Sequence, residues 1–329
     1  MRIVILGGTG FLSTCVVRAA LERGHEVVAV SRGRRGEPPA GAHAVVADRD
    51  DPASLADALA ALPGPPDAVV DVCGYTVAGA RAAGEVLGAV PRYVYVSSIS
   101  AYEGWPPGPV PDESAPTFPR TADLGEYGPM KAESERVLAD ATGGRVLLAR
   151  AGLIVGPGDR TRRLTAWLAR FATQPRVVVP EADDAPIAVV DARDLAGWLV
   201  RAAEEGWTGA VNATGPVGMT TFGGLLAACR AAVVATEGAA GEPFPLADAR
   251  LLEAGVQPWA DLPLWLPRDV AATAWQVGTA RARDLGLPSR PVEETVRDTW
   301  GWLRCLPAGD LEHPLPQAVA ALGGQTPSG

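Results

Sequence analysis

The sequence predicts an α/β chain, a doubly wound parallel sheet with helices on both faces and a smaller C-terminal substrate-binding lobe. Three observations lead there. A strand pattern, Arg2-Ile-Val-Ile-Leu6, runs straight into the glycine turn Gly7-Gly-Thr-Gly10 and then into a helical pattern at 14–23. Strand patterns at 26–30, 44–47, 68–72, 93–96 and 146–149 then alternate with helical patterns at 52–61, 78–87 and 127–141. These strands are continuous apolar runs, as expected where helices cover both faces of a sheet.

The first unit is also the first candidate site. Gly7 and Gly10 let the backbone turn sharply and approach a ligand, and the amides that open the following helix suit a pyrophosphate. Gly7, Thr9, Gly10, Phe11 and Leu12 are therefore candidate dinucleotide contacts in a Rossmann-type arrangement. Ser13 stands where a third glycine would ease helix-to-strand packing, and it is small enough to replace one. The second strand ends in Ser31-Arg32-Gly33-Arg34-Arg35. An acidic residue near this point holds the ribose hydroxyls of NAD, whereas arginine accommodates the 2′-phosphate of NADP. Three arginines and no acid favour NADP(H) over NAD(H), with Ser31, Arg32, Arg34 and Arg35 as contacts; a solvated loop is the alternative. The third strand closes on Asp48-Arg49-Asp50-Asp51. Asp48 is a candidate for the adenine end, and the run otherwise reads as a solvated turn in which Asp51 caps the helix begun by Pro52. Ligands of such sheets lie beyond the carboxyl ends of the strands. That rule adds Cys73 and Gly74 as cofactor contacts, and Tyr75, Ser100 and Tyr102 as substrate contacts.

Residues 103–126 hold six prolines and no clear periodicity, the mark of a functional loop or lid. Beyond them, Tyr127-Gly-Pro-Met-Lys131 sets a phenol and an ammonium four residues apart on one helix face. A neighbouring ammonium favours the phenolate, which makes a tyrosine usable as an acid or base near neutrality. Ser98, a hydroxyl at the end of the fifth strand, can hydrogen-bond the same substrate oxygen. Ser98, Tyr127 and Lys131 are the candidate catalytic residues.

Residues 1–150 thus form the dinucleotide-binding core, 151–306 complete the sheet and supply the lobe, and 307–329 form a tail rich in Pro and Gly. Arg160, Trp259 and Trp265 are candidate substrate contacts in the lobe, although tryptophan more often fills a core. The formal charge of −9 argues against nucleic acid and anionic membranes as partners. Cys15, Cys73, Cys229 and Cys305 lack CxxC spacing and suit buried thiols in a reducing compartment; His25, His43 and His313 are scattered, so no metal site is expected. With no basic leader and no long apolar run, the expected location is cytoplasmic.

Taken together, these motifs resemble the short-chain dehydrogenase/reductase superfamily, in its extended, epimerase/dehydratase-like branch. The resemblance also rests on Tyr93-Val-Tyr-Val-Ser-Ser-Ile-Ser-Ala-Tyr102, Arg150-Ala-Gly-Leu-Ile-Val-Gly-Pro157, Val190-Asp-Ala-Arg-Asp-Leu195 and Leu285-Gly-Leu-Pro288, and it covers residues 1–304. It implies that Lys131 holds the nicotinamide ribose, that Ser98 polarises the reacting C–O group and that Tyr127 transfers the proton. It implies a small-molecule substrate held mostly by the C-terminal lobe, and members are often homodimers through the Tyr-bearing helix.

Two departures narrow the reaction. Sugar dehydratases of this branch carry Asp-Glu after the Ser/Thr, and here those positions are Ile99-Ser100. Many UDP-sugar epimerases carry an asparagine shortly after the sixth strand, and 151–155 offers none. The expectation is an NADP(H)-dependent reductase of a carbonyl or imine of a small metabolite. The alternatives are an NAD-dependent epimerase of the NDP-sugar type and a non-catalytic NADP-sensing regulator.

Overall fold

Apolar runs pair side by side into one sheet of seven strands: β1 (Arg2–Leu6), β2 (Glu26–Ser31), β3 (His43–Val46), β4 (Ala68–Asp71), β5 (Arg92–Ser98), β6 (Val146–Ala151) and the strand Gly209–Ala213. The structure is a computed structural model that describes residues 1–324 except Arg35, Ala182 and 312–315. Across the sheet the order is Gly209–Ala213, β6, β5, β4, β1, β2, β3, with every pairing parallel. The winding therefore reverses between β1 and β4, the place where sheets of this kind open a crevice at their carboxyl ends.

Helix α1 (Phe11–Glu22) packs with the helix Ala192–Glu205 on one face. On the other, α2 (Pro52–Ala60), α3 (Val77–Leu87) and α4 (Tyr127–Thr142) cover a core of Val4, Leu6, Val28, Val30, Val69, Tyr93 and Tyr95. Local chemistry sets the helix ends. Asp51 accepts the amides of Ala53 (3.0 Å) and Ser54 (3.3 Å), with Pro52 in the first turn of α2. Thr76 accepts the Gly79 amide (2.9 Å) to start α3, and Gly143, with φ +60°, ends α4 in the left-handed conformation.

The chain forms two compact units. The first holds Met1–Ile154, Ala192–Gly215 and Val277–Pro288; the second holds Val155–Asp191, Pro216–Gln276 and the residues from Ser289 onward. The chain therefore crosses between units several times; the part of residues 151–306 that joins the first unit is Ala192–Gly215 and Val277–Pro288. Its last return is tied at several points. Arg281 donates to the Thr208 carbonyl (2.8 Å), Arg283 to that of Thr214 (2.6 Å), and the Trp198 indole to that of Leu285 (3.1 Å).

In the second unit Trp167, Trp265 and Trp300 fill the core while spending their N–H groups on internal acceptors. Trp167 meets Phe222 edge-on at 5.7 Å and donates to the Pro263 carbonyl (2.7 Å); Trp300 donates to Thr236 (2.7 Å). Of the cysteines, Cys229 is buried but Cys305 is exposed. Among the described residues no helix is long and apolar enough to cross a membrane, and no group of His, Cys, Asp and Glu is placed to hold a metal ion.

Residues 103–126 carry little regular structure, yet they are stitched to the first unit rather than hung over it as a detached lid. Val110 is buried with Ile99, Tyr102 and Val277, and its carbonyl accepts the Gly278 amide (2.8 Å). Glu113 accepts the Asn212 amide (2.8 Å), and the Phe118 carbonyl accepts from Arg136 (2.8 Å). Asn212, fully buried, is the hub: its side chain accepts the Tyr102 hydroxyl (2.6 Å) and donates to the Gly278 carbonyl (2.9 Å). Replacing Asn212 by Ala strands two buried polar groups, a loss of roughly 2–4 kcal/mol. The variant should melt well below wild type, and limited proteolysis should cut faster within 103–126.

Candidate functional site

The glycine turn is built on close approach. Gly7 has φ +95°, and a Cβ there would sit 2.7 Å from the Cys73 Cβ, so only glycine fits between β1 and the end of β4. Ser13 does more than substitute for a small residue. Its hydroxyl accepts the Gly10 amide (2.9 Å) and donates to the Gly7 carbonyl, which ties the turn to the first turn of α1. No side chain caps α1, because Gly10 occupies the capping position. The amides around Phe11 and Leu12 therefore suit an outside acceptor, and this donor set fits a dinucleotide pyrophosphate.

Around this turn the adenine-side candidates fall into place. Ser31 ends β2 and accepts the Gly33 amide (3.2 Å), while Arg32 and Arg34 are exposed on the loop that follows. Arg35 lies outside the described residues. Asp48 accepts the Asp50 amide (3.0 Å) in the turn after β3. The charged run is not wholly solvated: Arg49 turns inward, 7% exposed, onto the fully buried Asp71.

The catalytic candidates assemble at the carboxyl end of β5. Ser98 accepts the Ser100 amide (3.1 Å), which orients the hydroxyl so that its proton can be given elsewhere. Tyr127 opens α4, about half exposed, and Lys131 lies one turn further on, 3% exposed. Lys131 donates to the Val96 carbonyl (3.0 Å) and the Tyr95 hydroxyl (3.4 Å). Its Nζ is 4.9 Å from the ring centre of Tyr95, 5.6 Å from that of Tyr75 and 5.8 Å from that of Tyr127. Three aromatic faces thus surround one ammonium.

This lysine is the only one in the chain, against 28 arginines, and three of the chain's five tyrosines surround it. Burial lowers its pKa to about 8, against the opposing pull of Asp71. Arginine, which keeps its proton under all ordinary conditions, could not be tuned in this way. Burial, and secondarily Asp71, pushes the nearby Cys73 thiol up to about 12, so it stays protonated and unreactive.

Gly128 decides how close the two candidate catalytic segments come. A Cβ there would lie 2.4 Å from the Ser100 carbonyl oxygen and 2.7 Å from the Phe118 ring. The start of α4 can therefore press onto the turn after Ser98 only with glycine at this position.

The other candidates divide. Gly74 is buried and its carbonyl accepts the Tyr95 hydroxyl (3.3 Å); Tyr75 is 69% exposed at the rim, and Ser100 is half-buried. Tyr102 is 1% exposed and commits its hydroxyl to Asn212, so it faces the core instead of a ligand. Trp265 likewise is buried in the second unit, donating to Asp248 (3.1 Å). Trp259 stacks on Trp275 at 6.3 Å and stays partly exposed; Arg160 is exposed, also in the second unit.

Sequence reasoning missed the buried ionic row behind the site. Asp71 accepts from Arg49 and from the Tyr93 hydroxyl (3.1 Å). On the far side of Lys131, Glu135 accepts from Ser97 (2.5 Å) and from Arg150 (2.7 Å). A trace was present in the text: Asp71 and Arg150 end otherwise apolar strand runs.

A family model described as the NAD dependent epimerase/dehydratase family matches residues 3–214. The chain belongs to this family. Its membership agrees with the extended short-chain dehydrogenase/reductase resemblance of the motifs. Two relatives are reductases by name. A 2'-dehydrokanamycin reductase of Streptomyces kanamyceticus is 33% identical over 193 residues, 56% of this chain and 52% of the relative. A 3-diazoavenalumate denitrifying reductase of a Streptomyces species is 30% identical over 242 residues, 65% of this chain and 76% of the relative. The chain thus spans about half the length of the first. The fold is shared with the Bordetella bronchiseptica enzyme WbmH in complex with NAD+, at 20% identity and a TM-score of 0.69, covering 92% of this chain and 98% of that one.

Gly128→Ala should leave the circular dichroism spectrum unchanged and lower kcat about a hundredfold, since a displacement near 1 Å between reacting groups costs that much.

Proposed function

We propose that the chain is an NADP(H)-dependent reductase of a carbonyl, or an imine, on a small metabolite. The observation that carries this reading is the single lysine, buried and enclosed by the rings of Tyr75, Tyr95 and Tyr127, held on the Val96 carbonyl of β5, the strand that Ser98 ends. When bound, the cofactor supplies hydride from its nicotinamide. The residues of the chain do the rest. The glycine turn and the start of α1 hold the pyrophosphate, with Ser31, Arg32 and Arg34 around a 2′-phosphate. Ser98 donates a hydrogen bond to the substrate oxygen. Tyr127 gives that oxygen its proton, and the Lys131 ammonium stabilises the phenolate left behind.

Two relatives named as reductases, and Ile99-Ser100 in place of an acid pair, support reduction over dehydration. The family name supports a second reading, an epimerase that keeps its NAD(H) bound through an internal hydride cycle. Identifying the nucleotide released on denaturation, together with titration by NADPH and NADH, separates the two. A readily exchanged site preferring NADPH is the expected result, and stoichiometric retained NAD(H) would overturn it.

Tyr127→Phe should cost several orders of magnitude in kcat while leaving NADPH affinity nearly unchanged; near-normal turnover would remove Tyr127 from its role. The rate of carbonyl reduction should also fall as pH rises through about 8, because a deprotonated Lys131 no longer stabilises the phenolate. Stopped-flow measurement of NADPH oxidation from pH 6 to about 10 reads that limb directly.

A further inference from the structure

Asp71 ends β4, and its register partner in β5 is Tyr95, so both side chains stand on the sheet face that α4 covers. Its carboxylate is fully buried, held by Arg49 Nε (3.2 Å), Arg49 Nη2 and the Tyr93 hydroxyl. Arg49 reaches in from the turn after β3. A buried ion pair is no better for stability than apolar side chains of the same volume, so stability alone does not account for this one. What the pair does have is a place near the lysine: Tyr95, the register partner of Asp71, accepts from Lys131 (3.4 Å), and its ring centre lies 4.9 Å from the ammonium.

The charged and titratable groups around Lys131 can be named element by element. They are Arg49 from the turn after β3, Asp71 on β4 with Cys73 and Tyr75 after it, and Tyr93 and Tyr95 on β5. Tyr127 and Glu135 flank it on α4, the latter paired with Arg150 of β6. Among the charges, Asp71 is the largest influence that favours the ammonium and Arg49 the next, opposing it.

We propose that the buried Arg49–Asp71 pair is a positioning element for Lys131: Asp71 holds the ammonium in its charged form, and Arg49 limits how strongly. That the held lysine serves proton transfer rests on the function proposed above; the electrostatic coupling does not.

The single lysine makes the test direct. In the full chain labelled with 13Cε-lysine one lysine resonance exists, and its shift against pH gives the Lys131 midpoint without any assay of turnover. The wild-type midpoint is expected near 8. Asp71→Asn should lower it by about a unit or more, Arg49→Met should raise it, and the double variant should fall between them. Loosened packing would instead admit water and raise the midpoint in every variant. A common direction of shift, or no shift, overturns the proposal. Should Asp71→Asn fail to fold, Arg49→Met against the double variant isolates the carboxylate: the double variant must titrate lower. A lysine that shifts as expected in a protein that reduces no carbonyl refutes the function and leaves the coupling standing. An unmoved lysine in an active reductase does the reverse.

Discussion

The placement of one positive charge inside an apolar layer is the constraint that the rest of the first unit answers. Lys131 sits between the sheet and α4, and lowering its pKa from 10.5 to about 8 corresponds to about 3 kcal/mol against the charged form. Below pH 8 the folded chain carries that full cost. Between about 8 and 10.5 the unfolded chain holds a proton that the folded one has released, so this group's contribution to stability grows as pH rises. A protein that kept a lysine here only for packing would do better with methionine.

The surroundings show how that charge is made tolerable. The Val96 carbonyl and Tyr95 hydroxyl take two of its hydrogens, and three aromatic faces supply further attraction. Two buried ion pairs flank it, Arg49–Asp71 toward β3 and Arg150–Glu135 toward β6. The row goes on through the Arg150 guanidinium, 4.6 Å from the Tyr102 ring centre, to the Tyr102 hydroxyl on Asn212. Polar groups from the turn after β3 to the strand Gly209–Ala213 thus lie in one row, as an Arg49–Asp71–Tyr93 cluster and a Glu135–Arg150–Glu113–Asn212–Tyr102 cluster with Lys131 between them. Buried hydrogen-bonded charges of this kind hold their side chains in single positions, although Arg49 Nη1 is left without a hydrogen-bond partner.

The cluster around Arg150 also holds the proline-rich excursion. That segment contributes Glu113 to the Asn212 amide and its carbonyl to Arg150 Nη1 (3.2 Å), so it is anchored to the residues that flank the lysine. Length and proline content marked it as a functional loop, but neither property carries information about which buried donors its carbonyls will meet.

The parallel sheet and the glycine turn were legible in the sequence, and Ser98, Tyr127 and Lys131 stood out there as candidates, because each depends on local pattern: apolar runs, glycine spacing, or two residues one helical turn apart. The family was legible there for the same reason. Only the tertiary structure decided that Arg49 leaves a charged turn to meet Asp71, that Tyr75 and Tyr95 join Tyr127 around Lys131, and that Tyr102 is a core residue. Those contacts join segments tens of residues apart in the chain, which meet only when α4 and the turns beyond the strands pack on the sheet. Gly128 marks the boundary between the two kinds of knowledge. Its place in the helix is plain from the text, but the need for a missing Cβ arises from the Ser100 carbonyl it must pass, and that distance exists only once the sheet and α4 have packed.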